Sequence, residues 1–92
     1  MRYLLKYSNR FKKELKKVNK NGGFDENSFS FVVDELVKGE TLNTKHRNHK
    51  LHGKFIGCHE CHTQSDVLLV YKIDKQNSLL YLLRIGSHSD LF

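Results

Sequence analysis

No apolar run in this 92-residue chain approaches the roughly 20 residues that a membrane-spanning helix needs, so no membrane role is expected. The N-terminal stretch MRYLLKYSNR is too short in its apolar part for an export signal, which makes the cytoplasm the expected address. Cysteine is scarce. Cys58 and Cys61 are the only two, and without an export signal they read as thiols, a metal site or a redox pair before a structural disulfide. Met1 is the single methionine, so the usual methionine axial ligand of a haem protein is missing. Acidic charge is nearly absent from residues 1–20, where Glu14 stands alone against eight basic side chains. There is no repeat, low-complexity segment or linker.

What is present fits one small globular domain. A chain of this length buries about two thirds of its unfolded surface, enough for one modest core without staples. The formal net charge is +6 and unevenly spread, since residues 25–40 carry five acidic side chains against Lys38. Localised positive charge implies a polyanionic partner, nucleic acid first. A solvated surface is the competing explanation.

Residues 3–7 form a short strand candidate. Ser8 is a good N-cap, and Phe11, Leu15 and Val18 recur at i, i+4 and i+7 as the apolar stripe of a helix that Asn21-Gly22-Gly23 stops. Asp25 caps a second helix carrying Phe29, Val32, Val33 and Leu36, ended by Gly39. Residues 40–53 read as a loop. Residues 55–63 are a strand candidate interrupted by Gly57, and residues 67–73 and 79–85 are strong strands, apolar enough to be central. Gly86 opens a short tail. The expected fold is α+β in the order β-α-α-β-β-β, with a helix hairpin packed on one face of a small, mainly antiparallel four-stranded sheet. The other face or a rim is left for a site.

Proton-transfer and metal-ligand side chains concentrate in residues 45–66, which hold five of the six histidines and both cysteines. Strand alternation puts Cys58, Glu60 and His62 on one face and His59 and Cys61 on the other. A hairpin loop at Thr63-Gln64-Ser65 would set His62 almost opposite Asp66. Arg84 and His88 share parity in the last strand. Glu60, His62, Asp66, Arg84 and His88 are therefore expected to converge. RNA cleavage needs such a set: a base for the 2′-OH, an acid for the departing 5′-oxygen, and a cation for the crowded phosphate. It requires no metal and no cofactor.

Competing explanations exist for each residue. A histidine on a strand is ordinarily solvated or hydrogen-bonded, and His46 and His52 are read that way. Arg84 would serve equally as an edge salt bridge to Asp66 or Glu60. Phe92 either anchors the tail or stacks on an unpaired base. Residues 58–62 match the haem-attachment pattern C-x-x-C-H, but haem attachment belongs to export compartments. Zinc is the better metal reading, through His49-x-x-His52 and Cys58-x-x-Cys61. Against it, alternation sends the two cysteines to opposite faces. A redox pair lacks the strand–loop–helix setting.

Essentially end to end, the chain resembles the YafQ branch of the RelE-type toxins of bacterial type II toxin–antitoxin systems. The resemblance lies in Asn48-His49-Lys50-Leu51-His52-Gly53, in Glu60-Cys61-His62, in residues 65–71, and in the closing run of residues 83–92 with its Gly86-Ser87-His88 and Leu91-Phe92. It implies a ribosome-dependent endoribonuclease that cuts mRNA, neutralised by a small acidic antitoxin of the DinJ or RelB kind. It also implies functional positions at His49, His62, Asp66, His88 and Phe92, with related members adding an acid at Glu60 and an arginine at Arg84, and a site without metal. Cys58 and His59 depart from the pattern, standing where relatives tend to have an aromatic residue and an arginine. The basic first helix and residues 45–54, Lys50 and Lys54 among them, are assigned to RNA. The alternatives are a ParE-like inhibitor of a protein target on the same fold, a zinc-stabilised nucleic-acid-binding module, and an inert basic interaction domain.

Overall fold

A computed structural model describes residues 2–20, 22–39 and 58–91, together with the backbone of 49–50. Strand β1 (Leu4–Tyr7) leads into helix α1 (Asn9–Lys20) and helix α2 (Glu26–Val37). Strands β2 (His49–Lys50), β3 (His59–Gln64), β4 (Val67–Asp74) and β5 (Leu79–Gly86) follow, and a one-turn helix α3 (His88–Leu91) comes last. The sheet runs β1-β5-β4-β3-β2, antiparallel except where β1 lies parallel to β5. The expected α+β architecture is present. The two-residue β2 lies within the stretch read as a loop, too short to leave a pattern, and α3 lies in the stretch read as a plain tail.

Local chemistry accounts for the helices. Ser8 Oγ accepts the Phe11 N–H at 2.9 Å and donates to Leu83 C=O at 2.8 Å, so one hydroxyl caps α1 and pins it to β5. Asp25 caps α2, accepting from the N–H groups of Asn27 and Ser28 at 3.0 and 3.1 Å. The hydrogen bonds from Ser28 hold its carboxyl below the usual carboxylate range. Gly39 takes φ +77° and donates to Leu36 C=O at 3.0 Å, a left-handed terminus that suits glycine.

The helices cover one face of the sheet. Phe11, Val32, Val33 and Leu36 pack there on Cys61, Leu69, Tyr71, Leu80, Leu82 and Ile85. Each such aliphatic side chain, fully buried, contributes roughly 1.5–3 kcal/mol. A smaller cluster, Cys58, Leu68, Val70 and Leu91, with Leu83 against it, lies on the opposite face. This two-sided burial explains the unbroken apolarity of β4.

Two register shifts shape the site. One falls between His62 and Gln64 opposite β4, and the other opposite Val70 and Tyr71, where Arg84 and Leu82 are the partners and Leu83 is the extra residue. The hairpin also differs from expectation. Gln64 stays in the ladder opposite Val67, the turn is Ser65-Asp66, and His62 faces Leu68 rather than Asp66. The cause is tertiary: the Gln64 amide accepts from Asp25 N–H at 2.7 Å and donates to Gly23 C=O at 2.8 Å, fixing it to the interhelical loop.

Candidate active site

The β3–β4 hairpin and the β5–α3 corner form the two walls of an open groove of about 530 Å³. His62, Ser65, Asp66 and Leu68 come from the hairpin, and Ser87, His88 and Ser89 from the corner. Three of the sequence-predicted residues, His62, Asp66 and His88, therefore line one groove although up to 26 positions separate them. Alternation along β3 turns His62 to the sheet face away from the helices, and its Nδ1 is shielded from solvent. Asp66 is exposed at the tip of the turn. His88 is exposed at the start of α3, whose first turn is closed by Ser87, with its hydroxyl accepting the Asp90 N–H at 3.2 Å.

Glu60 shares the His62 face, two residues back on β3, and is buried, only 6% exposed. Its register partners are Val70 on β4 and His49 on β2. The backbone thus places His49 beside the acid, and Lys50 beside His59. Lys54 and Phe92 lie outside the described residues. His59 turns the other way, and its ring stacks on Tyr71 with centroids 5.4 Å apart.

Arg84 is placed differently from the other predicted residues. Its guanidinium donates to Glu14 through Nη2 at 2.6 Å and Nε at 3.3 Å, and reaches the Leu91 carbonyl through Nη1 at 3.5 Å. The salt-bridge alternative is therefore realised, with Glu14 as the partner in place of Asp66 or Glu60. Glu14 is the functional candidate that reading the sequence missed. Its signal was available, because it lies three residues after Phe11 and four before Val18, on the flank of the apolar stripe. Ser65, Ser87 and Ser89 were also missed, since serine in turns carries no distinguishing pattern.

The two cysteines are both buried, on opposite faces of the sheet: Cys58 in the smaller cluster and Cys61 in the main core. Burial, with the charge of Glu60 second, pushes the Cys61 thiol up to about 12. A metal needs thiolates converging on one point, so this pair does not fit one. Among the described residues no three histidine, cysteine or acidic side chains are placed to share an ion.

A sequence model of the family described as bacterial toxin of type II toxin–antitoxin system, YafQ, matches residues 3–92. A curated relative in Escherichia coli K12, named mRNA interferase toxin YafQ, is 28% identical over 89 residues, spanning 96% of this chain and 94% of its own length. The crystal structure of a metal-bound toxin from Helicobacter pylori is 42% identical, with a TM-score of 0.89 over 100% of both chains. The E. coli DinJ–YafQ complex contains a chain 27% identical, with a TM-score of 0.87 over 98% of both.

Proposed function

The chain belongs to the YafQ family of toxins from bacterial type II toxin–antitoxin systems, and on that premise we propose that it is an endoribonuclease that cuts mRNA on the ribosome. The observation that carries the reading is the groove in which His62, Asp66 and His88 meet from two separate segments. Imidazoles titrate near neutral pH and suit transfer of a proton in each direction. In the proposed reaction a base from among His49, Glu60, His62 and Asp66 takes the ribose 2′-OH proton. The resulting oxygen attacks the adjacent phosphorus and the bond to the 5′-oxygen breaks. His88 gives that oxygen its proton. The products are a 2′,3′-cyclic phosphate and a 5′-hydroxyl.

With its guanidinium bonded to Glu14 and Leu91, Arg84 serves the groove by holding its wall. Offsetting phosphate charge is assigned to Lys50 and Lys54, and stacking on a base to Phe92. The proposed cleavage is general acid–base catalysis by these side chains alone; the H. pylori toxin of 42% identity was crystallised metal-bound. The basic side of α1, with Lys12, Lys13, Lys16, Lys17 and Lys20, is assigned to ribosomal RNA, so ribosome binding should weaken steeply with added salt. By likeness to the E. coli DinJ–YafQ complex, a small acidic antitoxin is the neutralising partner, in the cytoplasm.

Induction followed by mapping of RNA 5′ ends tests this. Cuts confined to translated reading frames, with arrest relieved by the antitoxin, are expected. Cuts spread equally over untranslated RNA, or arrest without cuts, would sink the proposal.

A further inference from the structure

We propose that Glu14 is a positioning residue for His88, acting through Arg84. The inference rests on the nuclease reading above. The pairing of β1 with β5 ends at Leu82, opposite Tyr7. Ser8 extends the cover by one step, with its N–H on Leu82 C=O at 3.0 Å and its hydroxyl on Leu83 C=O. Beyond that point the outer edge of β5 meets α1, and Glu14 takes the place of a strand. Its Oε1 accepts the Ile85 N–H at 3.3 Å while the same carboxylate holds Arg84.

Arg84 then carries the connection to α3. Its Nη1 reaches the carbonyl of Leu91, the last residue of the turn that His88 begins. A four-residue helix is far below the length that holds itself in water, so the place of His88 depends on such anchors. The Leu91 side chain supplies another, buried against Leu68 and Val70. The Arg84 and Glu14 side chains are only 12% and 19% exposed, so water screens the pair weakly. Arginine suits this position because its planar fork bonds a carboxylate on one side and a carbonyl on the other. A lysine ammonium does not span both.

The test uses purified full chain, ribosomes and mRNA. Glu14→Gln and Arg84→Lys should each lower kcat about tenfold with KM changed less than about twofold, since a small displacement of a reacting group costs turnover rather than binding. Arg84→Lys keeps an ion pair available to Glu14, so its loss of turnover separates positioning from bulk stability. In an Arg84→Met background, Glu14→Gln should add less than about twofold, because residues acting through one contact do not multiply. Amide hydrogen exchange reads the same claim without activity. Glu14→Gln should speed exchange at Ile85 and Leu91 about tenfold while Leu69 and Tyr71 stay protected. Unchanged kcat, multiplying losses, or unchanged exchange at Leu91 would each overturn the proposal. If wild-type protein cuts no RNA, the nuclease reading falls, and exchange alone then decides whether Glu14 holds α3.

Discussion

The two walls of the groove are held to the same helix hairpin by different chemistry. The wall bearing His62 and Asp66 is tied by Gln64, a neutral amide bonded to the backbone of Gly23 and Asp25 in an exposed setting. The wall bearing His88 is tied by Glu14 and Arg84, a charged pair largely shielded from water. The hairpin wall needs little help, because β3 and β4 already share a ladder. The α3 wall is one helical turn without a ladder of its own; the charged pair lies beside it on β5 and reaches it through the contact of Arg84 Nη1 with the Leu91 carbonyl at 3.5 Å.

That contrast can be broken in graded steps. The largest effect is expected from His88→Ala, which should lower cleavage of ribosome-bound mRNA about 100-fold or more, measured as initial rate, with the fold intact. Next, Arg84→Ala leaves the partly shielded Glu14 carboxylate with only the Ile85 N–H and the exposed Arg10 3.9 Å away, and should cost about 2 kcal/mol of stability in urea unfolding. Gln64→Ala should cost about 1 kcal/mol, because water replaces both of its bonds. Equal costs at the two positions would erase the distinction between the walls.

Smaller effects come from titration. The Cys61 thiol has its pKa raised from 9.0 to about 12 by burial. The stabilisation this reflects is full below pH 9.0 and declines as pH rises toward 12, as the unfolded thiol ionises first. The unfolding midpoint should therefore fall above about pH 9, and less so in Cys61→Ala. Asp25 works in the opposite direction. Its carboxyl lies below the ordinary 3.8, so its contribution is present above that value and lost as pH falls through the folded one. The result is a slight loss of α2 helicity in acid that Asp25→Asn should abolish.

Much of this was legible in the sequence because it depends on period. The stripe of Phe11, Leu15 and Val18, the caps Ser8 and Asp25, and the alternation that separates Cys58 from Cys61 are local patterns with one structural solution. The shared face of Glu60 and His62 was legible from parity, whereas His88 reaches the groove through the turn of α3, where strand parity no longer applies. What was hidden depends on contacts between distant segments. Glu14 and Arg84 are 70 positions apart; the apolar stripe of α1 turns Glu14 toward the sheet, but nothing local says which residue it meets there. The hairpin turn starts two residues later than the sequence suggests, and His62 pairs two residues further along β4, because Gln64 answers to Gly23 and Asp25, and a register shift of that kind leaves no mark in composition. The two-residue β2 is set by its partner β3, with His49 opposite Glu60.

The central claim is that His62, Asp66 and His88 act together on a single phosphodiester, and the chemistry of the new RNA ends tests it most directly. Purified protein acting on ribosome-bound mRNA should leave 5′-hydroxyl and 2′,3′-cyclic phosphate termini, and His88→Ala should leave almost none. Fragments ending in 5′-phosphate and 3′-hydroxyl, or a His88→Ala protein that cuts at the wild-type rate, would contradict it.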